Sequence, residues 1–435
     1  MAGFVTASTE PRIWQYVLAA LVALYFLAPA QLPWIPVSAQ GALVAAVFLA
    51  HLVHRRGRID LTLLVPLALF FGPLVLAMVF APGGYVVEYV RPLILGGIAS
   101  YLFAFYFRDL RSLRSSEILL ILLLPSAAFS VAFFLVPELI DGVPPSLRGL
   151  AWGVLEDAIL YGLFLIVGHL ALVHAYVRAR GHLLLAPVLV TTLALIATGS
   201  RGIWLGTILG TVLCLVFARS ARRGVVVLVV MALTFWGFRT LMQARVDAYV
   251  ERGGNLAAAP RAVEFALTIK LKGALSKKNR QDALVDRWDI VVTGLRIWRR
   301  FPLLGAGPGT FAQRAGEFLP AARGPALPAE DTPVDPHNIY IAILTDAGAV
   351  GMAGFLGMLG LIMVRAWRRR QRAEGKTALN VLMASVIALS AVGLVHDVHL
   401  DRLWWIMLGL LNGQSTPPRF RRRSIVSRDR ADGPG

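Results

Sequence analysis

The sequence predicts an all-α polytopic membrane protein, with about 12 transmembrane helices and one large, partly helical periplasmic loop. Of the 435 residues, 57% are hydrophobic and only 16% are charged, and the mean hydropathy is +0.67. Soluble domains average about 25% charged residues, so this composition argues against a large soluble enzyme and against a disordered chain. The net charge of +18 would suit a nucleic-acid-binding protein, but such a protein would not carry this much aliphatic sequence. No nucleic-acid partner is therefore expected.

The predicted spans follow from length, because a helix needs about 20 mostly apolar residues to cross the hydrocarbon. The last stretch is the shortest and could be tilted or half-buried. The stretches that meet the requirement are 13–32, 36–53, 61–80, 86–107, 118–136, 155–177, 183–198, 203–217, 224–241, 338–364, 378–395 and 403–411.

Basic clusters set the predicted orientation. They follow the even-numbered stretches, at 54–58, 108–114, 178–182, 218–223, 365–372 and 419–423. The positive-inside rule places these loops, and both termini, in the cytoplasm. The predicted organisation is nine helices within 1–241, a periplasmic loop over 242–336, three helices within 337–412 and a basic cytoplasmic tail over 413–435, which would lie near anionic membrane lipids.

The long loop is the only large departure from this alternation. It contains amphipathic helical patches at 261–277 and 286–300 and a glycine- and proline-rich turn at 302–309, which must interrupt a helix. Connections of this length are usually functional or disordered. Several aromatic residues in the loop favour a segment that folds onto the membrane domain. The single cysteine, Cys214, lies in an apolar stretch, so we expect it to pack in the core, and no internal disulfide can form.

Three spots on the predicted outer face carry candidate chemistry. The first is Ser200 and Arg201 at the start of the eighth stretch. Ser200 suits an N-cap, and the positive end of a helix attracts phosphate groups, for which arginine adds a fork of donors. The alternative is an arginine that extends to the membrane interface without a ligand.

The second spot is Arg287, at the start of the amphipathic patch in the loop. Arg287, Val291 and Trp298 lie near one stripe at helical spacing. This spacing allows Arg287 to point toward the membrane domain while Trp288 and Trp298 rest at the lipid interface. The alternative is a surface arginine paired with Asp286 or Asp289, which would contribute little.

The third spot is the Asp-Pro-His-Asn sequence at 335–338. We expect Asp335 to cap the tenth helix, Pro336 to occupy its first position and His337 to lie in its first turn. The helix dipole disfavours an imidazolium there, so His337 would remain neutral and could accept a proton. The alternative is an interfacial histidine with no chemical role.

Further polar residues are expected near these spots. His396 and His399 have helical spacing that permits a metal site, but the loop is short and lacks a His-Glu-x-x-His pattern and a cysteine partner, so a metal site is the less favoured interpretation. We expect Asp401 and Arg402 to brace the neighbouring site. Glu88 and Arg91 are spaced to pair on a helix near the outer surface and indicate a cavity there. Asn338 is a further supporting residue.

Taken together, these groups suit a lipid-linked diphosphate whose head group lies outside the membrane. Arginine can hold a diphosphate without a metal ion and can stabilise the charge on a departing phosphate. His337 could deprotonate an attacking sugar hydroxyl. No cofactor is expected.

At these residues the sequence resembles the O-antigen ligase and polymerase superfamily of bacterial membrane glycosyltransferases. The similar stretches are Gly-Ser-Arg-Gly at 199–202, Asp-Arg-Trp-Asp-Ile at 286–290 leading to Pro-Leu-Leu-Gly-Ala-Gly at 302–307, and Pro-His-Asn at 336–338 followed by Asp-Ala-Gly at 346–348 and Gly351. The resemblance extends over about 185–412, and the preceding half is similar only as apolar helices.

The resemblance implies a periplasmic enzyme that transfers a polysaccharide from undecaprenyl diphosphate to an acceptor hydroxyl, inverting the anomeric centre without a metal. It implies that Arg201 and Arg287 hold the diphosphate and that His337 is the base or orients the acceptor. A ligase would use lipid A–core as the acceptor, and this is the favoured prediction. An O-antigen polymerase or another lipid-linked oligosaccharide transferase is the alternative within the superfamily.

A transporter or flippase of lipid-linked sugars is the competing class. Such carriers often show internal pseudo-symmetry, whereas the Ser-Arg-Gly and Pro-His-Asn elements each occur without a second copy. The polar groups also crowd one predicted face, which favours chemistry at a surface. A purely structural assembly protein is the least favoured interpretation.

Overall fold

A computed structural model of the chain describes residues 37–107 (except 56 and 58), 127, 158–178, 182–252 (except 199), 287–318, 336–372 and 376–416 (except 397). Within these ranges every regular element is helical. The helices, numbered here in chain order, are α1 Val37–His54, α2 Leu61–Phe80, α3 Val87–Tyr106, α4 Ala158–Arg178, α5 Leu185–Ala197, α6 Arg201–Ala218, α7 Ala221–Glu251, α8 Arg287–Arg300, α9 Phe311–Phe318, α10 Ile339–Arg372, α11 Lys376–Val392 and α12 Arg402–Ser415.

Most predicted helices are present close to their expected bounds, and α2 coincides with the predicted stretch. The predicted helices at 13–32 and 118–136 (apart from Ala127), the patch at 261–277 and residues 417–435 of the predicted tail lie outside the described residues. Residues 413–415, assigned to the tail by the prediction, belong instead to α12. Six described helices are long and apolar enough to cross a membrane, and three further apolar helices are shorter. The chain is therefore an integral membrane protein, while the total of about twelve spans stays a prediction.

Two longer helices also differ from the prediction. Helix α7 continues to Glu251, past the predicted end at Leu241 and into the segment assigned to the loop. Helix α10 is longer than predicted and is interrupted at Gly348, where φ is 64° and ψ is −159°. Apolar length predicts a helix, but it does not show where a glycine takes a positive φ.

Small residues bring the helices together. The backbone of Gly354 in α10 lies against the Leu69 carbonyl of α2, and Gly409 in α12 lies against Ser100 of α3. In both places a Cβ atom would overlap the neighbouring backbone. Such close approach is typical of helices that associate within a membrane. Trp404 and Trp405 of α12 are fully buried. The last helix, which the sequence predicted to be short, is therefore a central part of the core.

The two ends of this bundle differ in chemistry. At one end arginines bind the backbone of neighbouring helices: Arg365 donates to the Thr62 carbonyl at 2.9 Å, and Arg223 donates to the Val177 carbonyl at 2.8 Å. The predicted site residues Arg91, Arg201, Asn338 and Asp401 belong to the opposite end, where α3, α6, α10 and α12 begin. The orientation of these two ends in the membrane stays a prediction from the charge pattern.

Candidate active site

The segment 393–401, which joins α11 to α12, contacts the first turns of three other helices; we call it the hub segment. The Ile339 amide at the start of α10 donates to the Gly393 carbonyl at 2.8 Å, and Asn338 Nδ2 donates to the Leu394 carbonyl at 2.8 Å. Ser200 Oγ, before α6, lies 3.1 Å from His396 Nε2. Tyr89 Oη in α3 lies 2.6 Å from His399 Nε2. Residues distant in sequence therefore meet at one end of the bundle.

The start of α6 is as predicted. Ser200 is the N-cap, with extended backbone angles, and its hydroxyl accepts from the Ile203 amide at 3.4 Å. Arg201 is exposed in the first turn. Gly202 packs so closely on Val395 of the hub segment that a Cβ there would overlap the valine side chain. The arginine thus stands at a positive helix end that is fixed against the hub segment.

The start of α10 differs from the prediction. Asn338, not Asp335, caps this helix, because its Oδ1 accepts from the Tyr340 amide at 2.9 Å and the Ile341 amide at 3.1 Å. Pro336 and His337 consequently precede the helix, so the expectation that His337 lies in the first turn was wrong. His337 is exposed and adopts a left-handed conformation with φ of 45°. Asparagine is a strong N-cap because its carbonyl reaches these free amides.

The imidazole of His337 therefore stands one residue outside the cap. It remains beside the positive end of α10, but it is not part of the first turn on which its predicted neutrality depended. Asn338 connects it to the hub segment, which Ser200 contacts two residues further along at His396.

The glycine- and proline-rich turn at 302–309 fills the interruption in α10. The Ala306 amide donates to the Thr345 carbonyl at 2.7 Å, and the amides of Ala349 and Val350 donate to the carbonyls of Pro302 and Leu303 at 2.8 and 3.1 Å. The break at Gly348 leaves backbone amides and carbonyls of α10 without their usual helical partners, and these bonds supply other partners. The turn is therefore an internal part of the bundle end and not a free loop.

The same turn contacts the approach to α3. The Gly83 amide donates to the Ala306 carbonyl at 2.8 Å, and the Val86 amide donates to the Pro308 carbonyl at 2.9 Å. The Gly309 amide donates to Asp346 Oδ1 at 3.1 Å. Glycine-rich turns often use free amides to bind phosphate, but here the amides of Gly305, Ala306 and Gly309 already bind within the protein. This turn is structural.

Helix α8 connects the turn to the loop. Its buried face carries Ile290, Thr293 and Ile297, and Gly294 lets it approach Ile341 in α10. The stripe predicted from Arg287, Val291 and Trp298 is thus not the face that packs most closely. Trp288 is exposed, and Trp298 donates its Nε1 hydrogen to the Pro302 carbonyl at 3.1 Å. Arg287 begins the helix, and its side chain lies outside the described atoms.

The two loop histidines bind different partners, His396 to Ser200 and His399 to Tyr89. Burial lowers the pKa of His399 from 6.5 to about 3, so its ring is neutral at physiological pH. Among the described residues, no group of three His, Cys, Asp or Glu side chains could hold a metal ion. The rings of His396 and His399 link α6 and α3 to the hub segment.

The remaining predicted residues lie at the same end with distinct local roles. Asp401 caps α12 by accepting from the Leu403 amide at 2.8 Å. Arg402 follows it as the first residue of α12, and its side chain is not among those described. Glu88 and Arg91 are both exposed near the start of α3, and their predicted pairing stays a prediction.

Comparison with known protein families gives a partial match. Residues 185–356 match the family described as O-antigen ligase. Over this segment, which is less than half of the chain, the sequence is similar to that family. No curated protein matches the chain at a significant level.

The O-antigen ligase segment runs from the start of α5 into α10, so it contains Arg201, Arg287 and His337 together with the turn at 302–309. Tyr89 and the hub segment lie outside it. The family is one of glycosyltransferase-like enzymes, which agrees with the resemblance noted from the motifs.

Sequence reasoning missed Tyr89 and gave no role to Asp346. Tyr89 had no signal, because its partner His399 is more than 300 residues away in the chain. Asp346 had a weak one: an acidic residue within an otherwise apolar stretch is costly in a membrane and usually has a fixed partner. Its partner, the Gly309 amide, is visible only in the folded chain.

Proposed function

We propose that this protein is an O-antigen ligase that transfers a polysaccharide from undecaprenyl diphosphate to a sugar hydroxyl of lipid A–core, at the periplasmic face of the bacterial inner membrane. One observation carries the proposal. Within a chain that contains an O-antigen ligase family segment, the first turn with Arg201 and the cap beside His337 both contact the hub segment.

The proposed chemistry assigns a task to each group. Arg201 and Arg287 bind the donor diphosphate through charge-assisted hydrogen bonds, aided by the positive end of α6. His337 accepts the proton of the acceptor hydroxyl as its oxygen bonds to the anomeric carbon. The bond from that carbon to the phosphate oxygen breaks on the opposite face, and its electrons remain with the diphosphate. Attack from the opposite face inverts the anomeric centre.

The guanidinium groups stabilise the charge that develops on the departing diphosphate. Because arginine can neutralise this charge without a metal, the reaction is proposed to be metal-independent. The exposed positions of Arg201 and His337 leave both accessible to substrates held at the membrane surface. Asn338 and Asp401 support the site by capping α10 and α12.

The test is a transfer reaction with the purified full chain and undecaprenyl-diphosphate-linked glycan, with and without lipid A–core. We expect glycan on the lipid core only when that acceptor is added, and we expect EDTA to leave the rate unchanged. Ladders of repeat units formed without lipid A–core would instead identify a polymerase. Movement of intact donor across vesicles without transfer would identify a flippase.

A further inference from the structure

The turn at 302–309 touches three elements of the candidate site at once. It follows α8, which begins at Arg287; it fills the break in α10, which begins beside His337; and it binds the segment that leads into α3. Its place in the break therefore fixes the C-terminal end of α8 and the approach to α3 against α10, and the rigid helices carry these positions to their starts.

Close backbone contacts constrain the position of the turn. A Cβ on Gly305 would overlap the Asp346 backbone, and one on Gly307 would overlap Gly84. Gly305, Gly307 and Gly309 all have positive φ, at 71°, 121° and 77°. The seat thus depends on backbone geometry that other residues rarely adopt.

Among the residues that the structure describes, a buried carboxylate binds the turn. Asp346 is 4% exposed, lies two residues before the break at Gly348, and accepts the Gly309 amide through Oδ1 at 3.1 Å. Among the described residues, the other bonds between the turn and α10 join backbone to backbone, at Pro302, Leu303 and Ala306. Asp346 therefore fastens the Gly309 arm of the turn to α10 through its side chain.

We propose that Asp346 is a positioning residue for the transfer reaction: by binding the Gly309 amide, it seats the turn in the α10 break and so fixes the start of α8, with Arg287, relative to His337. The proposal rests on the function proposed above. The role proposed for Asp346 requires a hydrogen-bond acceptor at position 346, because the partner is the backbone amide of Gly309. A displacement of the reacting groups by about 1 Å can lower the reaction rate about 100-fold. A hydrogen bond distant from the reacting atoms can therefore control turnover.

The test compares Asp346→Ala, Asp346→Asn and a matched control, Asp60→Ala. Asp60 is equally buried at 4% exposure, and it caps α2 at the opposite end of the bundle by accepting from the Thr62 amide at 3.1 Å. Two readouts are measured on the full chain in detergent: hydrogen exchange of peptides covering 302–309 and 345–350, and kcat and KM for the lipid-linked donor.

We expect Asp346→Ala to accelerate exchange in both peptides and to lower kcat at least 10-fold, with a smaller change in KM. Asp346→Asn keeps an acceptor oxygen and should retain most of the exchange protection and of kcat. Asp60→Ala should lower thermal stability but leave kcat and turn exchange at wild-type values.

The proposal is overturned if Asp346→Ala leaves exchange in the turn unchanged, or if exchange rises while kcat does not fall. It is also overturned if Asp346→Asn is as defective as Asp346→Ala, since the charge and not the acceptor would then matter. Failure of the proposed function is separate: it would appear as a wild-type protein without transferase activity, and the exchange comparison would then show only whether Asp346 fastens the turn.

Discussion

At the scale of residues, the candidate site combines exposed reactive groups with buried supporting ones. Arg201 and His337 are exposed, whereas Asp401, His396 and His399 are buried within the hub segment. This division is suited to lipid-linked substrates, because the groups that would bind or react stay accessible while their supports are shielded from water. His337 and His399 differ in environment and should respond differently to substitution.

Replacement of His337 by Asn tests the base assignment. Asparagine tolerates the left-handed backbone at this position, but it cannot accept a proton. We expect transfer to fall by about 10²–10⁴-fold, the usual contribution of a general base, with an unchanged thermal midpoint. His54→Asn, an exposed histidine at the other end of the bundle, serves as the control. Near-normal transfer by the His337 variant would contradict the assignment.

His399 should make the fold sensitive to acid. Its pKa is about 3 in the folded protein against 6.5 for an ordinary histidine, so between these values the unfolded chain binds a proton that the folded chain does not. Stability attributable to this ring is present above pH 6.5 and is lost as the pH falls, by up to about 1.4 kcal/mol per pH unit. The thermal midpoint of His399→Phe should therefore change less between pH 7 and pH 5 than that of the wild type. Equal changes in the two thermal midpoints between pH 7 and pH 5 would show that burial does not protect the His399 ring from protonation.

At the scale of elements, caps and one break decide how helices begin and where they bend. Because Asn338 is the cap, α10 begins later than a cap at Asp335 would predict. The break at Gly348 divides the helix so that the turn at 302–309 can enter. Helix α10 is therefore two segments with separate tasks. The shorter segment presents the cap beside His337, and α10 as a whole is long and apolar enough to cross a membrane.

Two glycines of α10 provide a matched comparison. Gly348 has positive φ, and a Cβ there would overlap the Leu303 carbonyl, while Gly360 has open space around it. Gly348→Ala should destabilise the protein by at least about 2 kcal/mol through strain and overlap. Gly360→Ala should be neutral or stabilise by about 0.5–1 kcal/mol. Thermal unfolding in detergent distinguishes them, and equal midpoints would contradict the role assigned to the break.

At the scale of the whole molecule, the basic loops predict how the bundle is oriented in the membrane. Exposed arginines such as Arg55, Arg222 and Arg368 lie at the end opposite the hub segment. Because cytoplasmic loops collect such residues, the hub segment is predicted to face the periplasm, where a lipid-linked glycan would meet its acceptor.

Cysteine labelling in intact cells tests this orientation. Gln313→Cys in α9 and Arg368→Cys in α10 replace exposed residues, and the native Cys214 is buried and should not react. A membrane-impermeant maleimide added to cells with a permeabilised outer membrane should label position 313 only. Labelling at position 368 alone would reverse the predicted orientation.

The sequence by itself determined the class of fold and most helix bounds within the described ranges. Apolar runs must leave water, so these features depend on local composition. It also indicated the N-cap at Ser200, since capping involves only neighbouring residues.

The tertiary structure alone decided which distant residues meet. The pairing of Tyr89 with His399, the entry of the 302–309 turn into α10 and the bond from Asn338 to the Leu394 carbonyl each depend on how helices pack. Such contacts join segments separated by tens to hundreds of residues, and no local pattern encodes them. The membrane drives each helix to form, but packing between helices decides what their ends can do together.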